Sequence, residues 1–128
     1  MSSRHEAAPQ FGTEDTMKYM LLICVEAPGK APAIDPDDDL DVEPWVEEMD
    51  GRGIRQLGSP LQPASEATTV RVRSGEVLLT DGPYAETKEQ IAGFDLIEAK
   101  DLDEAIEVAS KHPMARIGMV DVRALVDL

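Results

Sequence analysis

The order of apolar and polar residues along the chain predicts six β-strands and two helices. A continuous apolar stretch at residues 18–25 is typical of a central strand that is buried on both faces. Residues 69–73 and 76–80 alternate apolar and polar side chains around Ser74 and Gly75, which indicates a β-hairpin with a tight turn. The remaining strands are predicted at residues 54–61, 93–98 and 119–126.

Two segments have the spacing of short amphipathic helices. The first has apolar residues at positions i, i+3, i+4 and i+7, namely Val42, Trp45, Val46 and Met49. Pro44 is tolerated in its first turn, and Gly51 ends it. In the second helix, Asp101 and Glu104 have the spacing of a capping box. Its predicted apolar face consists of Leu102, Ala105, Ile106 and Ala109.

These elements follow in the order β-α-β-β-β-β-α-β, which is a ferredoxin-like α+β plan with an extra hairpin. The length of 128 residues fits one domain, which we place at residues 17–128. Residues 1–16 lack periodicity and are expected to form a flexible extension, and the Pro- and Asp-rich residues 27–43 a long loop. Because both helices would cover one face of the sheet, the apolar opposite face predicts a homodimer.

Composition excludes several classes of partner. Twelve Lys and Arg stand against 26 Asp and Glu, and the resulting net charge of −14 repels phosphate backbones, so no nucleic-acid partner is expected. Apolar runs are far shorter than the roughly 20 residues that span a bilayer, and the first residues lack the apolar stretch of a signal peptide. We therefore expect a cytoplasmic protein with no membrane partner. The single cysteine, Cys24, is interpreted as a buried core thiol.

No metal or cofactor is expected. Acidic residues alternate from Asp35 to Asp41, but a calcium-binding loop of the EF-hand type would need glycine and glutamate where Leu40 and Val46 stand. Cysteine and histidine lack the spacing of a zinc site, and no glycine-rich loop suggests a phosphate site. The acidic segment is therefore interpreted as a solvated loop.

A longer motif resembles a known family. The sequence DGPYAETKEQIAGF at residues 81–94, followed by DLDEA at residues 101–105, is similar to the DGPF domain, a branch of the YciI-related proteins. ATTVRVRSG at residues 67–75 and VDVR at residues 120–123 fit the same family, so the resemblance covers residues 17–128.

The resemblance implies a dimeric α+β barrel with a pocket lined partly by the motif loop. It implies no defined reaction, although some related domains are encoded near sigma factors or fused to them. For the YciI branch it implies a histidine-aspartate pair with the histidine on the first helix. Here that helix reads WVEEMD at residues 45–50 and contains no histidine, so this acid-base pair is not carried over.

Candidate site residues lie in the motif and at the end of the second helix. A structural interpretation of Asp81 is that its side chain bonds backbone amides of the turn at Gly82 and Pro83. A functional interpretation makes it part of the polar rim of a ligand pocket, formed by Asp81, Tyr84, Glu86, Thr87 and Lys88. His112, the one histidine inside the predicted domain, is suited to proton transfer but also to ending a helix beside Pro113.

Two functions from different classes fit this sequence. The leading hypothesis is a dimeric domain that binds a small organic ligand, with weak acid-base or lyase-like chemistry for which His112 and Asp81 are the candidate groups. The alternative is a non-catalytic regulatory or interaction module, linked to sigma-factor systems. The sequence leaves open whether the protein is an enzyme.

Overall fold

A computed structural model describes residues 15–26, 40–82 and 89–126. Its elements are, in chain order, β1 (Met17–Glu26), α1 (Glu43–Gly51), β2 (Arg55–Pro60), β3 (Thr68–Arg73), β4 (Glu76–Asp81), β5 (Glu89–Ala99), α2 (Leu102–Ser110) and β6 (Met119–Ala124). Two short 3₁₀ helices, Ala64–Glu66 and Pro113–Arg116, precede β3 and β6. The predicted order of strands and helices is confirmed. Most of the predicted extension and most of the acidic loop lie outside the described residues.

Four strands form one antiparallel sheet in the order β2-β5-β1-β6. The first strand of the chain, β1, is therefore central, and its two neighbours are β5 and β6. This is the ferredoxin-like α+β arrangement that the sequence predicted. The extra hairpin, β3-β4, forms a separate two-stranded sheet between β2 and β5 in the chain.

The helices cover one face of the sheet, where the core lies. Tyr19, Leu21 and Ile23 of β1 point to this face and are buried together with Trp45 and Met49 of α1. From β5 and α2 the core receives Ile97, Ala99, Ala105, Val108 and Ala109. The intervening residues of β1 are only half-buried, so the prediction that this strand is buried on both faces is wrong for a single chain.

Both helices begin as their sequences indicate. Pro44 occupies the first turn of α1, and Trp45 and Met49, one turn apart, face the core. At the start of α2, the Asp101 carboxylate accepts the Glu104 N–H at 2.9 Å, and the Glu104 carboxylate accepts the Lys100 N–H at 2.8 Å. The apolar face of α2 differs from the prediction, because its buried residues are Ala105, Val108 and Ala109, whereas Leu102 and Ile106 are exposed.

The opposite face of the sheet is apolar at its centre, as predicted, whereas Asp121 and Arg123 of β6 lie beside Leu22 and Met20 at its edge. The strand register aligns Leu57, Leu96 and Met20 in one row across β2, β5 and β1, and places Phe94 beside Leu22 in the next row. Leu57 is 52% exposed, and the other four side chains are half-buried. We call these five side chains the open face. In the described part of the chain, both helices lie on the other side of the sheet.

The hairpin turn has the geometry of a tight two-residue connection. Ser74 and Gly75 have φ values of 51° and 78°, both in the left-handed region, and Arg73 pairs with Glu76 directly across the turn. Two left-handed residues match the twist of the flanking strands, so this turn sets their register. The hairpin prediction is confirmed.

Two further expectations can be compared with the fold. Cys24 is buried, as predicted, beside an irregularity in the pairing of β1 with β5 between Ile23 and Cys24. Among the described residues, neither helix has the length and apolar character needed to cross a bilayer.

Candidate functional site

Asp95 is a buried carboxylate in the middle of β5. It is 6% exposed and lies on the helix-covered face, paired across the sheet with Leu21 and Gly58. Arg55, near the start of β2, donates from Nε to Asp95 Oδ1 at 2.8 Å, and its Nη1 lies 3.5 Å from a carboxylate oxygen of Asp50. The sequence analysis missed this pair. An acidic residue inside an apolar strand segment was the available signal, but its partner lies 40 residues away in the chain.

Gly58 makes the position of this carboxylate possible. A Cβ atom added at Gly58 would overlap the Asp95 carboxylate and would also approach the Phe94 carbonyl oxygen at 2.8 Å. Because Gly58 of β2 has no side chain, the Asp95 carboxylate of β5 can occupy the space beside it. This contact fixes Asp95 against the sheet rather than in an open cleft.

Burial dominates the electrostatics of the pair. Loss of water around the carboxylate raises the pKa of Asp95, and the hydrogen bond and charge of Arg55 oppose this only in part. The hydrogen bond to Asp95 raises the pKa of Arg55, so the guanidinium stays charged. The free-energy cost of burying the ionised Asp95 carboxylate is therefore larger than the stabilisation that Arg55 gives it.

His112 is, besides Asp95, a second buried polar side chain among the described residues. It is 4% exposed and packs edge-on against Trp45, with the ring centroids 4.7 Å apart. The indole N–H of Trp45 donates to the carbonyl of Val108 at 3.0 Å, which ties α1 to α2 beside the imidazole. The imidazole therefore lies where the two helices meet.

The role of His112 at the helix end differs from the prediction. Helix α2 is capped by Lys111, and His112 instead caps the following 3₁₀ helix, where its Nδ1 accepts the Met114 N–H at 3.0 Å. An acceptor nitrogen carries no proton, so the neutral ring holds its proton on Nε2. Within the described ranges nothing accepts a hydrogen bond from that nitrogen.

The burial of His112 predicts a pH-dependent contribution to stability. Loss of water lowers the pKa of His112, so the folded protein keeps the ring neutral below the ordinary value near 6.5. The unfolded chain protonates first, and stability should therefore fall as the pH falls below about 6.5, by at most about 1.4 kcal/mol per pH unit. Urea unfolding at pH 7.5 and pH 5.5 measures this loss.

His112→Asn is the matched variant for this test. Asparagine is a good capping residue that can still accept the Met114 N–H, but it does not titrate. The loss of stability between pH 7.5 and pH 5.5 should be smaller in the variant than in the wild type. Equal losses in the two proteins would show that His112 does not contribute.

Asp81 marks the start of the motif segment. It is the last residue of β4, is exposed, and makes no side-chain hydrogen bond with any described residue. The turn is held without it, because the Gly82 N–H donates to the Ala67 carbonyl at 2.6 Å and the Thr69 hydroxyl donates to the Gly82 carbonyl at 2.8 Å. The Asp81 side chain therefore does not bond the Gly82 amide, and the remaining residues of the predicted turn lie outside the described residues.

Thr69, rather than Asp81, should stabilise this turn. Thr69→Val keeps the branched shape but removes the hydrogen bond to Gly82, so it should cost about 0.5–1.5 kcal/mol. Asp81→Ala should leave the denaturation midpoint nearly unchanged, because the carboxylate makes no hydrogen bond or ion pair with the residues that the structure describes. Parallel urea titrations compare the two variants, and a larger loss in Asp81→Ala would restore the turn role of the aspartate.

The structure describes two of the sequence-predicted site residues, Asp81 and His112, and these two do not lie together. Asp81 is exposed on the hairpin, whereas His112 is buried between the helices, and the two make no hydrogen bond or ion pair with each other or with Asp95. The other predicted rim residues, Tyr84, Glu86, Thr87 and Lys88, lie outside the described residues. In the described part of the chain, no three His, Cys, Asp or Glu side chains are grouped as a metal site would require.

Comparisons with known proteins identify the family. The sequence-family model of the YCII-related domain matches residues 17–128 of this chain. An uncharacterized protein of Rhizobium meliloti (strain 1021) is 37% identical over 98 residues, which cover 63% of this chain and 79% of the relative. The family match extends over the whole ferredoxin-like unit, from β1 to the residues after β6. This chain therefore belongs to the YCII-related domain family.

Proposed function

We propose that this protein is a homodimeric domain that binds a small organic molecule at the motif segment that begins with Asp81. The observation that carries the proposal is the exposed Asp81 carboxylate, which no described residue engages. Because Thr69 and the Ala67 carbonyl hold Gly82, the described part of the turn does not need the Asp81 carboxylate, which supports a role for that charge in ligand binding. Tyr84, Glu86, Thr87 and Lys88 follow in the chain with the hydroxyl, carboxylate and ammonium groups that could orient a polar molecule.

Binding is better supported than catalysis. General acid-base chemistry needs a donor and an acceptor within hydrogen-bond reach of one substrate. Asp81 and His112, the acid-base candidates from the sequence, do not contact each other, and Nδ1 of His112 is committed to the Met114 N–H. We therefore place ligand recognition at the motif and assign no reaction step to it.

The homodimer is the second part of the proposal. The open face groups Met20, Leu22, Leu57, Phe94 and Leu96 on one side of the sheet, and an apolar surface of this kind favours association. A two-fold related copy can bury this surface against its own equivalent. Sedimentation equilibrium at micromolar concentration should give the mass of two chains, and Leu57→Lys, at the most exposed of these positions, should shift the distribution toward one chain.

The ligand proposal is tested by screening a metabolite library for thermal shifts, together with native mass spectrometry of freshly purified protein. A molecule that binds should lose affinity in Asp81→Asn, Tyr84→Phe and Lys88→Ala. Asp103→Asn is the matched control, because Asp103 is an exposed aspartate on α2 and lies outside residues 81–94. A ligand with unchanged affinity for all three motif variants would place its site elsewhere.

A specific observation favours the alternative, a non-catalytic regulatory or interaction module. The β3-β4 hairpin exposes an apolar stripe, and exposed apolar surface is typical of protein contacts. The library screen separates the two hypotheses. A broad screen without a single shift, combined with purified protein that carries no small molecule, would support the interaction module.

A further inference from the structure

The hydrogen bond between His112 and Met114 depends on the protonation state of the imidazole. Nδ1 of His112 accepts the Met114 N–H at 3.0 Å, and His112 is 4% exposed. A protonated imidazole carries a proton on both nitrogens, so it donates hydrogen bonds and accepts none. This contact therefore exists only while the ring is neutral, and protonation leaves two N–H groups that point at each other.

The same hydrogen bond begins the segment that joins α2 to β6. His112 is the N-cap of the 3₁₀ helix Pro113–Arg116, and the Gly118 N–H donates to the Met114 carbonyl at 2.8 Å. We call residues 112–118 the α2–β6 connection. Met114 is bonded through its N–H to the first residue of this connection and through its carbonyl to the last. Loss of the imidazole contact therefore weakens the connection at the residue that links its two ends.

The α2–β6 connection can open without unfolding the sheet. Among its residues only His112 and Pro113 are buried, and the others are half-buried or exposed. The pairing of β1 with β5 contains no residue of the connection. Local opening costs less free energy than global unfolding where few apolar contacts are broken. Opening of this segment therefore exposes little of the core.

The charged side chains around His112 are paired with each other and not with the imidazole. Lys111 lies 2.8 Å from Glu48 of α1 and 3.6 Å from Glu107 of α2. The other charged or titratable side chains of the elements packed here are Arg52, bound to Glu48 and Glu107, Glu104, which caps α2, Asp95, bound to Arg55, the buried Tyr19, and the exposed Glu43, Glu47, Asp50, Asp103 and Arg116. Within the described ranges His112 makes no ion pair, so an imidazolium in the closed connection has no compensating charge.

Opening of the connection gives the ring access to water, and this sets the direction of the pH effect. Loss of water lowers the pKa of His112 in the closed connection, whereas a solvated ring has the ordinary value near 6.5. The closed form is therefore favoured at neutral pH, and the open form takes up a proton first as the pH falls. The ratio of open to closed forms should rise below about pH 6.5, by at most about tenfold per pH unit.

We propose that His112 is a pH-sensitive switch, in which protonation of the imidazole opens the α2–β6 connection while the sheet stays folded. The proton is the effector, and mildly acidic conditions are the signal. Two observations carry the inference: the Met114 contact requires a neutral ring, and no described side chain compensates an imidazolium there. The switch depends neither on the proposed ligand nor on the proposed homodimer. It differs from a general loss of stability in acid, because one segment opens before the rest.

Native-state hydrogen exchange followed by NMR tests the switch. The Met114 and Gly118 amides report on the connection, and the amides that pair β1 with β5 report on the whole fold. After correction for intrinsic exchange rates, protection of the Met114 and Gly118 amides should fall at least about threefold between pH 7.0 and pH 5.5. Addition of about 1 M urea should leave their protection unchanged, because local opening exposes little surface, whereas the β1–β5 amides should lose protection.

His112→Asn and His5→Asn are the matched variants. Asparagine at position 112 can still cap the 3₁₀ helix but does not titrate, so protection of the Met114 amide should no longer fall in acid. His5, the other histidine of the chain, lies outside the described residues, and His5→Asn should keep the full effect. An equal fall in His112→Asn and the wild type, or its loss in His5→Asn, would overturn the switch. So would wild-type Met114 and Gly118 amides whose protection declines with urea as steeply as that of the β1–β5 amides.

Discussion

Gly118→Ala should destabilise the protein by about 1–3 kcal/mol or more, because it forces a side chain into a space that backbone atoms already fill. Gly118 lies between the second 3₁₀ helix and β6, where its N–H donates to the Met114 carbonyl at 2.8 Å. A Cβ atom there would overlap the carbonyl oxygen of Cys24 and would lie 3.4 Å from the Cα atom of Val25. Both neighbours belong to the central strand, which cannot move without disturbing its pairing with β5 and β6.

Gly51→Ala is the control for this substitution. Gly51 is the last residue of α1, and a Cβ atom there would have no neighbour within 4 Å. Alanine favours the helical conformation, so this variant should be unchanged or more stable by about 0.5–1 kcal/mol. Urea denaturation followed by far-ultraviolet circular dichroism compares the two. If both variants unfold at the wild-type urea concentration, the close packing of Gly118 against β1 is wrong.

Asp95→Ala should cost about 3 kcal/mol, since it leaves the Arg55 guanidinium without its closest partner and opens a void beside Gly58. Removal of one partner of a buried ion pair typically costs about 3–5 kcal/mol. We expect the lower end of this range, because Arg55 keeps its ion pair with Asp50 at 3.5 Å. Asp95→Asn should stay within about 1 kcal/mol of the wild type at neutral pH. The amide oxygen can accept from Arg55, and the cost of a buried negative charge is removed.

The pH dependence of stability distinguishes the effect of the Asp95 charge from the effect of its side-chain shape. Burial raises the pKa of Asp95 in the folded protein above the ordinary value of 3.8. The protonated form is thus favoured by folding, and its contribution to stability is present at low pH and is lost as the pH rises through the folded-state pKa. Relative to Asp95→Asn, the wild type should gain stability when the pH is lowered through this window. A constant difference between the two proteins at every pH would contradict the raised pKa.

Local sequence determined the parts of the fold that could be predicted. The Ser74-Gly75 turn and the capping residues Asp101 and Glu104 act within a few residues of themselves, so their patterns are readable from the chain. The apolar face of α2 was predicted less well, because packing buries Val108 in place of Leu102 and Ile106. Here the position of the sheet, which is a tertiary property, decides which side of a short helix is inside.

The candidate site was less predictable than the fold, for a related reason. Asp95 and Arg55 meet only because the register of β2 and β5 brings them together, and the space for the carboxylate depends on Gly58 in the neighbouring strand. The pattern of apolar and polar residues in one sequence does not indicate that Asp95, Arg55 and Gly58 come together across two strands. Asp81 was singled out by its motif, but the Gly82 N–H that its carboxylate could accept is donated to the Ala67 carbonyl, a contact that depends on the pairing of β3 with β4.

The central position of β1 has a consequence for the way the chain folds as it is synthesised. The first strand made is flanked by β5 and β6, which are the last two strands of the main sheet to leave the ribosome. Roughly 100 residues separate the end of β1 from the end of β6, and at about 5–20 residues per second their synthesis takes about 5–20 s. Until β5 has been made, the apolar segment Met17–Glu26 has neither neighbour in the sheet, and until β6 has been made it lacks one of the two. Nascent chains of this protein should therefore depend on chaperones that shield an early apolar strand, and shortening the chain before β6 should leave that strand unprotected on one edge.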